Sequence, residues 1–496
     1  MKFSFLKLFY CLTAALVIEK NSAAATAADA DSAYVFTSFH DADQKFLRYL
    51  YSFDGYHWTN VPGTFLAASV GTNQQFRDPS IVRAPDGMFH LVWTAGWHGD
   101  QGFGYANSKD LVHWSAQKFI PVMTNEPTTV NVWAPEIFYD ADGKQFLIVW
   151  ASTIPGRFPD VQEKHDNNHR LYFTTTKDFT EFTPTKLFFE PGFSVIDGFI
   201  LQDGNKFVLL NKDNSRPNLN LRVAFADSPL GAWTNESEPF TQKFTEGPAA
   251  LKIGEGWLVY FDAYREKIYG AVRTRDFKTF TDVTKEVSFP PEHKHGTPLQ
   301  VSREILAGLL QNAEQQMAAE SNYSKTISGR ADDILKILTL ADTNKAAKVH
   351  ANIVTQYRSL RSWHDENDSR LKAAKTDTNA TAQIRTSLKT LHEKFLSALA
   401  ENLSPEQIEA VKDKLTYGKV QFTFNGYLTA YPGLAEIHQQ KILELLKQAR
   451  EEAMDGGSAE EKTAVFQKAK GKINNYLSKA GVHQEKKRAD TNVPAK

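Results

Sequence analysis

The sequence predicts a multidomain chain: an all-β five-bladed β-propeller followed by an all-α helical bundle. Three observations predict it. Short alternating segments rich in aromatics and Gly fill residues 33–303, one aromatic turn recurs five times within them, and Ala, Lys, Glu and Leu at helical spacing then take over. At 496 residues the chain exceeds the roughly 250 to 300 at which single cores stop growing, so at least two folding units are expected.

The β signal is local and periodic. Phe89 to Trp93, Phe146 to Trp150, Lys206 to Leu210 and Trp257 to Phe261 read as strands. Each follows a turn: Asp86-Gly87, Asp142-Gly143, Asp203-Gly204 or Gly254-Glu255-Gly256. Each is therefore the second arm of a hairpin. The blade count comes from turns that close on Trp58, Trp114, Phe182, Trp233 and Phe280. A sandwich also has many short strands, but it does not repeat one aromatic turn five times.

An ionisable residue stands before the first apolar strand of each unit: Asp78, Glu136, Asp197, Glu246 and His295. The spacing puts all five at one phase of the repeat. First strands line the channel of a propeller, so four carboxylates and an imidazole should meet on the axis. The unit ending at Trp58 has no acidic strand start of its own, whereas His295 begins a strand after the last turn. One blade should therefore be completed by both ends of the domain.

Like charges this close raise one another's pKa, and such a cluster suits a cation or proton transfer. Glycoside hydrolysis needs one protonated and one ionised carboxyl group. Carboxylates that merely bind water, calcium or backbone N–H groups are the alternative. The formal charge of -1 offers no basic excess for a nucleic acid partner.

With its motifs Phe76-Arg-Asp-Pro-Ser80, Trp133-Ala-Pro-Glu-Ile137, Ile196-Asp-Gly-Phe199, Thr245-Glu-Gly-Pro248 and His295-Gly-Thr297, this half resembles glycoside hydrolase family 43. The resemblance implies a five-bladed propeller that hydrolyses arabinofuranosides, xylosides or galactofuranosides with inversion. It implies Asp78 as general base, Glu246 as general acid, and Asp197 as the residue that orients the acid and raises its pKa. Glu136 takes a supporting or binding role. His295 contacts a structural calcium ion through water, and no cofactor is required for the chemistry. Gly198, Lys294 and Pro298 depart from the family pattern, which bears on the metal more than on the acids. The related fructan and sucrose hydrolases place their first acid in Asn-Asp-Pro-Asn-Gly and a Cys after their glutamate, and neither feature occurs here.

An oligo- or polysaccharide substrate also needs aromatic faces and placed polar groups. Trp97, His98, Trp133, Glu136 and Arg265 are the candidates, with Asn211 and Tyr264 nearby. Trp93 and Trp150, inside strands, are expected to pack in the core. The insertion from Ile154 to Asn168 is expected at the pocket rim. A catalytically silent glycan-binding propeller is the rival reading.

Residues 1–28 read as a signal peptide, with Lys2 and Lys7 before the apolar run Leu8 to Ile18 and small residues at Ser22 to Ala28. The run is short for a membrane span. Export to the periplasm or medium is expected, and cleavage would remove the single cysteine, Cys11. Residues 304–330 read as a linker, 331–485 as the helical domain and 486–496 as a flexible tail. Ser404-Pro-Glu-Gln407 and Ser458-Ala-Glu-Glu461 read as capping boxes. The helical domain resembles one of unknown function found in secreted proteins of polysaccharide-degrading bacteria, most distinctively at Trp363-His-Asp365 and Tyr417-Gly418. Association with protein, glycan or a second copy is expected of it rather than chemistry.

Overall fold

The structure, a computed structural model, describes residues 31–160, 167–234 and 236–482. The expected signal peptide and tail lie outside them. The chain divides into two compact units, Met1–Ala318 and Ala319–Lys496.

The first unit is a five-bladed propeller. Blade one pairs Ser32–His40, Asp43–Ser52 and Thr59–Ala67, and blade two holds Arg77–Arg83, Phe89–Thr94, Gly102–Ser108 and Lys118–Pro121. Blade three holds Trp133–Asp140, Gln145–Thr153, His169–Thr176 and Lys186–Phe189. Blade four holds, among the described residues, Val195–Asp203, Lys206–Asp213 and Asn220–Ala226. Blade five holds Thr245–Ile253, Gly256–Ala263, Ile268–Thr274 and Thr281–Asp282. The ring closes as the strand starts implied: Pro298–Ser302 and His293–Lys294 add to the first strand of blade one, with Ala33 opposite Val301 and Phe39 opposite Lys294. Trp93 and Trp150 are fully buried core residues.

The recurrent aromatic turn has a common mechanism. Asp54 Oδ1 accepts from the Tyr56 and His57 amides, and Asp110, Asp178 and Asp276 cap their own turns in the same way. These are Asx turns. The next residue is left-handed, at φ 65°, 57° and 54° for Leu111, Phe179 and Phe277. That conformation costs a bulky residue roughly 1–2 kcal/mol. Burying each of these side chains offsets it, at roughly 1.5–3 kcal/mol apiece. Blade four has Ser228 where the others have Asp, and among the described residues it is also the blade that shows no fourth strand.

Seven helices follow: α1 Arg303–Leu338, α2 Thr343–Ala373, α3 Thr378–Ala400, α4 Pro405–Leu415, α5 Lys419–Ala430, α6 Glu436–Met454 and α7 Ala459–Lys479. The segment expected as a linker, 304–330, is instead helical throughout. Its Leu306, Leu309 and Ala313 join the core beneath blades one and two, and Gln316 bonds both backbone groups of Thr64. The polar run after Ala313 hides that short apolar stripe in the sequence. In the second unit, one core gathers Ala331, Ile334, Ile353, Phe395 and Val411, and another gathers residues of α5, α6 and α7. Ser404 and Gln407 form a full capping box, whereas the Glu461 side chain takes the Gly457 amide rather than that of Ser458.

None of the helices among the described residues is long and apolar enough to cross a membrane.

Two glycine substitutions test this packing with opposite signs. A Cβ on Gly296 would lie 1.7 Å from the Thr37 carbonyl oxygen, so Gly296→Ala must push blade one apart at a cost of about 3 kcal/mol. Gly308 sits within α1 with nothing near its Cβ position, so Gly308→Ala should stabilise by about 1 kcal/mol. Urea unfolding midpoints should move in opposite directions; a harmless Gly296→Ala would contradict the blade closure.

Candidate active site

The inner strands do not simply begin at the acids; each starts with a β-bulge. Register shifts fall between Arg77 and Ser80, Trp133 and Glu136, Ile196 and Phe199, and Glu246 and Ala249. The bulged residue is left-handed in every case: Asp78 at φ 49°, Ala134 at 44°, Asp197 at 55° and Gly247 at 58°. The five ionisable residues therefore do not share one phase, as their spacing suggested. Asp78 and Asp197 occupy the bulge itself, Glu246 precedes it by one residue, and Glu136 follows it by two. Spacing to the next apolar run cannot register an extra residue in a bulge, and bulges re-aim the side chains they carry.

The acids nevertheless converge. Asp78, Glu136, Asp197 and His295 line one small cavity on the axis, and Glu246 lies beside it. Asp78 accepts from the Thr94 hydroxyl at 2.8 Å and lies 3.4 Å from His295 Nδ1. Glu136 accepts from Ser80 Oγ at 2.5 Å. The Gly247 amide donates to Asp197 at 3.0 Å, which ties that aspartate to the backbone carrying Glu246. Lys212 Nζ donates to Glu246 at 2.8 Å.

Environment separates the acids. Burial pushes Asp78 up, but the His295 bond, the Arg77 charge and the Thr94 hydroxyl hold it below its usual range. Burial likewise works on Asp197, and the charges of Glu246 and Asp78 add to it; despite His295 and Lys212 its carboxyl stays raised. Burial lifts Glu136 to about 8 against the pull of Ser80 and His295. For Glu246 the burial effect is outweighed by Lys212 and then His295, which hold it below its usual value. Burial opposes charge on His295, yet Asp78, Asp197 and Glu246 raise it to about 9, so the imidazole is a cation at neutral pH.

The second strand of each blade supplies a residue that the search along first strands missed. Opposite the residue that precedes each bulge, Arg77, Trp133, Ile196 and Glu246, stand Thr94, Ala151, Lys212 and Asp262. Asp262 is raised to about 6 by burial and paired with Lys294 at 2.9 Å. They stand within the last three residues of each second strand, a position with no motif around it.

The expected sugar-binding residues fall into two groups. Trp97 is partly exposed, stacks under Arg77 at 4.1 Å and meets Trp133 edge-on at 5.5 Å. His98 lies 5.7 Å from Trp133, whose other neighbour is His169. These rings form one shelf beside Asp78. Arg265 lies over Phe244 at 3.6 Å, in the loop after Ala263 and next to Tyr264, whose ring is 5.0 Å from the Lys212 ammonium that pairs with Glu246. Arg157, in the rim insertion, is taken up by a bidentate pair with Glu126.

A calcium ion held directly by His295 does not fit this geometry. Among the described residues the acids around it do not bring three potential ligand atoms within 4.8 Å of one another.

A propeller whose axial bulges hold acids of opposing pKa defines a carbohydrate-active class of fold and site. Residues 29–306 match the family described as "Probable glycosyl hydrolase domain", related to glycoside hydrolase family 43. The chain belongs to this family. Residues 324–495 match "Protein of unknown function (DUF3826)". A curated α-L-arabinofuranosidase of Bifidobacterium longum subsp. longum is 23% identical over 158 residues, covering 28% of this chain and 15% of that protein. The chain thus matches only a small part of that relative's length. Among solved structures, an α-L-arabinofuranosidase from Clostridium thermocellum is 14% identical with a TM-score of 0.38, covering 51% of this chain and 90% of the other. One from Lactobacillus brevis is 16% identical with a TM-score of 0.34, covering 42% and 72%.

The raised carboxyl of Glu136 gives a stability test. Its folded value of about 8 lies above the ordinary 4.5, so the folded protein binds more protons between those values. That contribution is complete below the lower value and is lost as pH rises through the upper one, by a few kcal/mol at most. Glu136→Gln should remove the loss while keeping an acceptor for Ser80. Relative to the parent, the variant should gain stability between about pH 5 and about pH 9. Parallel urea midpoints across that range would refute a buried, neutral Glu136.

Proposed function

We propose that the chain is an exported glycoside hydrolase that removes terminal sugars by inversion. Its substrates are furanosides such as α-L-arabinofuranose or β-D-galactofuranose, or β-xylose, in plant or microbial polysaccharides. The observation that carries this reading is the opposed electrostatics of the two bulge aspartates: Asp78 is held below the usual carboxylate range, while Asp197 is raised.

In this reading Asp78 takes a proton from water as that water attacks the anomeric carbon. Thr94 and His295 fix its carboxylate, and the imidazolium keeps it ionised despite burial. Glu246 gives a proton to the departing oxygen. Its pairing with Lys212 favours the ionised form in the unliganded pocket, so sugar binding must draw the ammonium away before Glu246 can act as an acid. Asp197 positions Glu246 through the Gly247 amide. The Trp97 and Trp133 shelf offers its faces to a sugar ring. Carboxylates and an imidazole suffice for these transfers, so no cofactor enters, and calcium near His295 would act on stability through water.

Kinetics on leaving groups and pH test the roles. Asp78→Asn should lower kcat by about 10³-fold or more on every substrate. Glu246→Gln should cripple natural glycosides yet spare aryl glycosides with acidic phenols. Lys212→Met removes the cation that depresses Glu246, so the basic limb of the kcat/KM profile should move to higher pH. Turnover should survive chelation. A propeller that binds glycans without hydrolysing any furanoside or pyranoside would leave the silent-binding reading in place; a basic limb unmoved in Lys212→Met would remove Glu246 as the acid.

A further inference from the structure

The helical unit contains an open cavity of about 550 Å³ lined by α2, α3, α6 and α7. His364 and Asp368, four residues apart on one face of α2, project into it. Glu461 enters from the first turn of α7. One ligand atom from each of the three lies within 4.8 Å of the others. The Trp363-His-Asp365 motif that stands out in the sequence is thus a wall of this cavity, with Trp363 buried and His364 facing inward.

The bonding of His364 argues for a ligand. Its Nε2 lies 2.8 Å from the Asp455 backbone oxygen, which can only accept, so Nε2 carries a proton. Its Nδ1 faces Asp368 Oδ1 at 2.9 Å. With a neutral ring that contact would set two lone pairs against each other, so the site requires a positive charge between nitrogen and carboxylate. A proton on Nδ1 supplies it, and so does a metal ion. An imidazole whose far N–H is tied to a backbone carbonyl is the usual support of a metal-bound histidine. The ring is also held in place: a Cβ on Gly457 would lie 2.8 Å from it.

Glu461 supplies a third potential donor beside this pair. One Glu461 oxygen takes the Gly457 amide at 2.7 Å. A second imidazole, His392, lines the same cavity, bonded to Asp455 Oδ1 at 2.9 Å.

We propose that His364 Nδ1, Asp368 and Glu461 form a binding site for a divalent transition metal of the zinc type, with an open coordination position toward the cavity. One nitrogen and two carboxylates suit such an ion, whereas calcium takes six to eight oxygens and magnesium an octahedron of them. Arg385, Lys389 and Lys468 around the same cavity favour an anionic group at the open position. The proposal is independent of the propeller's chemistry.

Zinc titration of the full chain, after chelator treatment, tests it by calorimetry and by X-ray absorption. One equivalent should bind with a first shell of one imidazole and carboxylate oxygens, and should raise Tm. His364→Gln and Asp368→Asn should each weaken binding at least about tenfold. Asp368 lines the cavity but stays part-exposed, so its variant keeps the helix, and Asp368→Asn with Glu461→Gln decide the matter if His364→Gln fails to fold. Excess calcium or magnesium should not displace zinc. Absence of saturable binding, an equivalent insensitive to Asp368→Asn and Glu461→Gln, or ready displacement by calcium would each overturn the site.

Discussion

The propeller depends on one closure. Ser32–His40 pairs with Pro298–Ser302 along five residues, and that ladder holds the first and last parts of the unit in the same blade. It also delivers His295 to the axis, between the split inner strands of blade one. The imidazolium is the charge that lets Asp78, Asp197 and Glu246 crowd together there. Unpaired buried carboxylates would be untenable so close, and the ring would open or the acids would all be neutral. Ring closure and site electrostatics are therefore one constraint.

A second cation completes the balance. Lys212 lies on the second strand of blade four and meets Glu246 of blade five. His295 contacts Asp78 directly and Lys212 contacts Glu246, and this asymmetry separates Asp78 and Glu246 from Asp197 and Glu136. Two identical aspartate bulges acquire opposite proton affinities from their neighbours alone. The bulges make this possible, because a left-handed residue at each strand start turns its side chain off the pleat and toward the axis.

Most of the architecture was legible in the sequence. Five Asp- or Ser-led aromatic turns gave the blade count because an Asx turn is local chemistry, encoded within four or five residues. The acid-bearing strand starts, the core roles of Trp93 and Trp150, the completion of one blade by both ends, and the helical character after Arg303 were legible for similar reasons. Arg265 illustrates the limit: its type suggested sugar binding, but only the structure shows that it lies over Phe244, next to the Tyr264 ring that faces Lys212.

What the sequence alone determined is what short-range physics writes into it: hairpins, turns, helix caps and the identity of the acids. Only the tertiary structure decided the phase of those acids, since a bulge changes direction without changing spacing. It alone found Lys212, Thr94 and Asp262, which reach the site by cross-strand pairing rather than by motif. It also showed that α1 docks on the propeller where a linker was expected, because three apolar residues suffice once a groove exists to receive them. The meeting of His364, Asp368 and Glu461 spans almost a hundred residues, and only the packing of separate helices could bring those donors together.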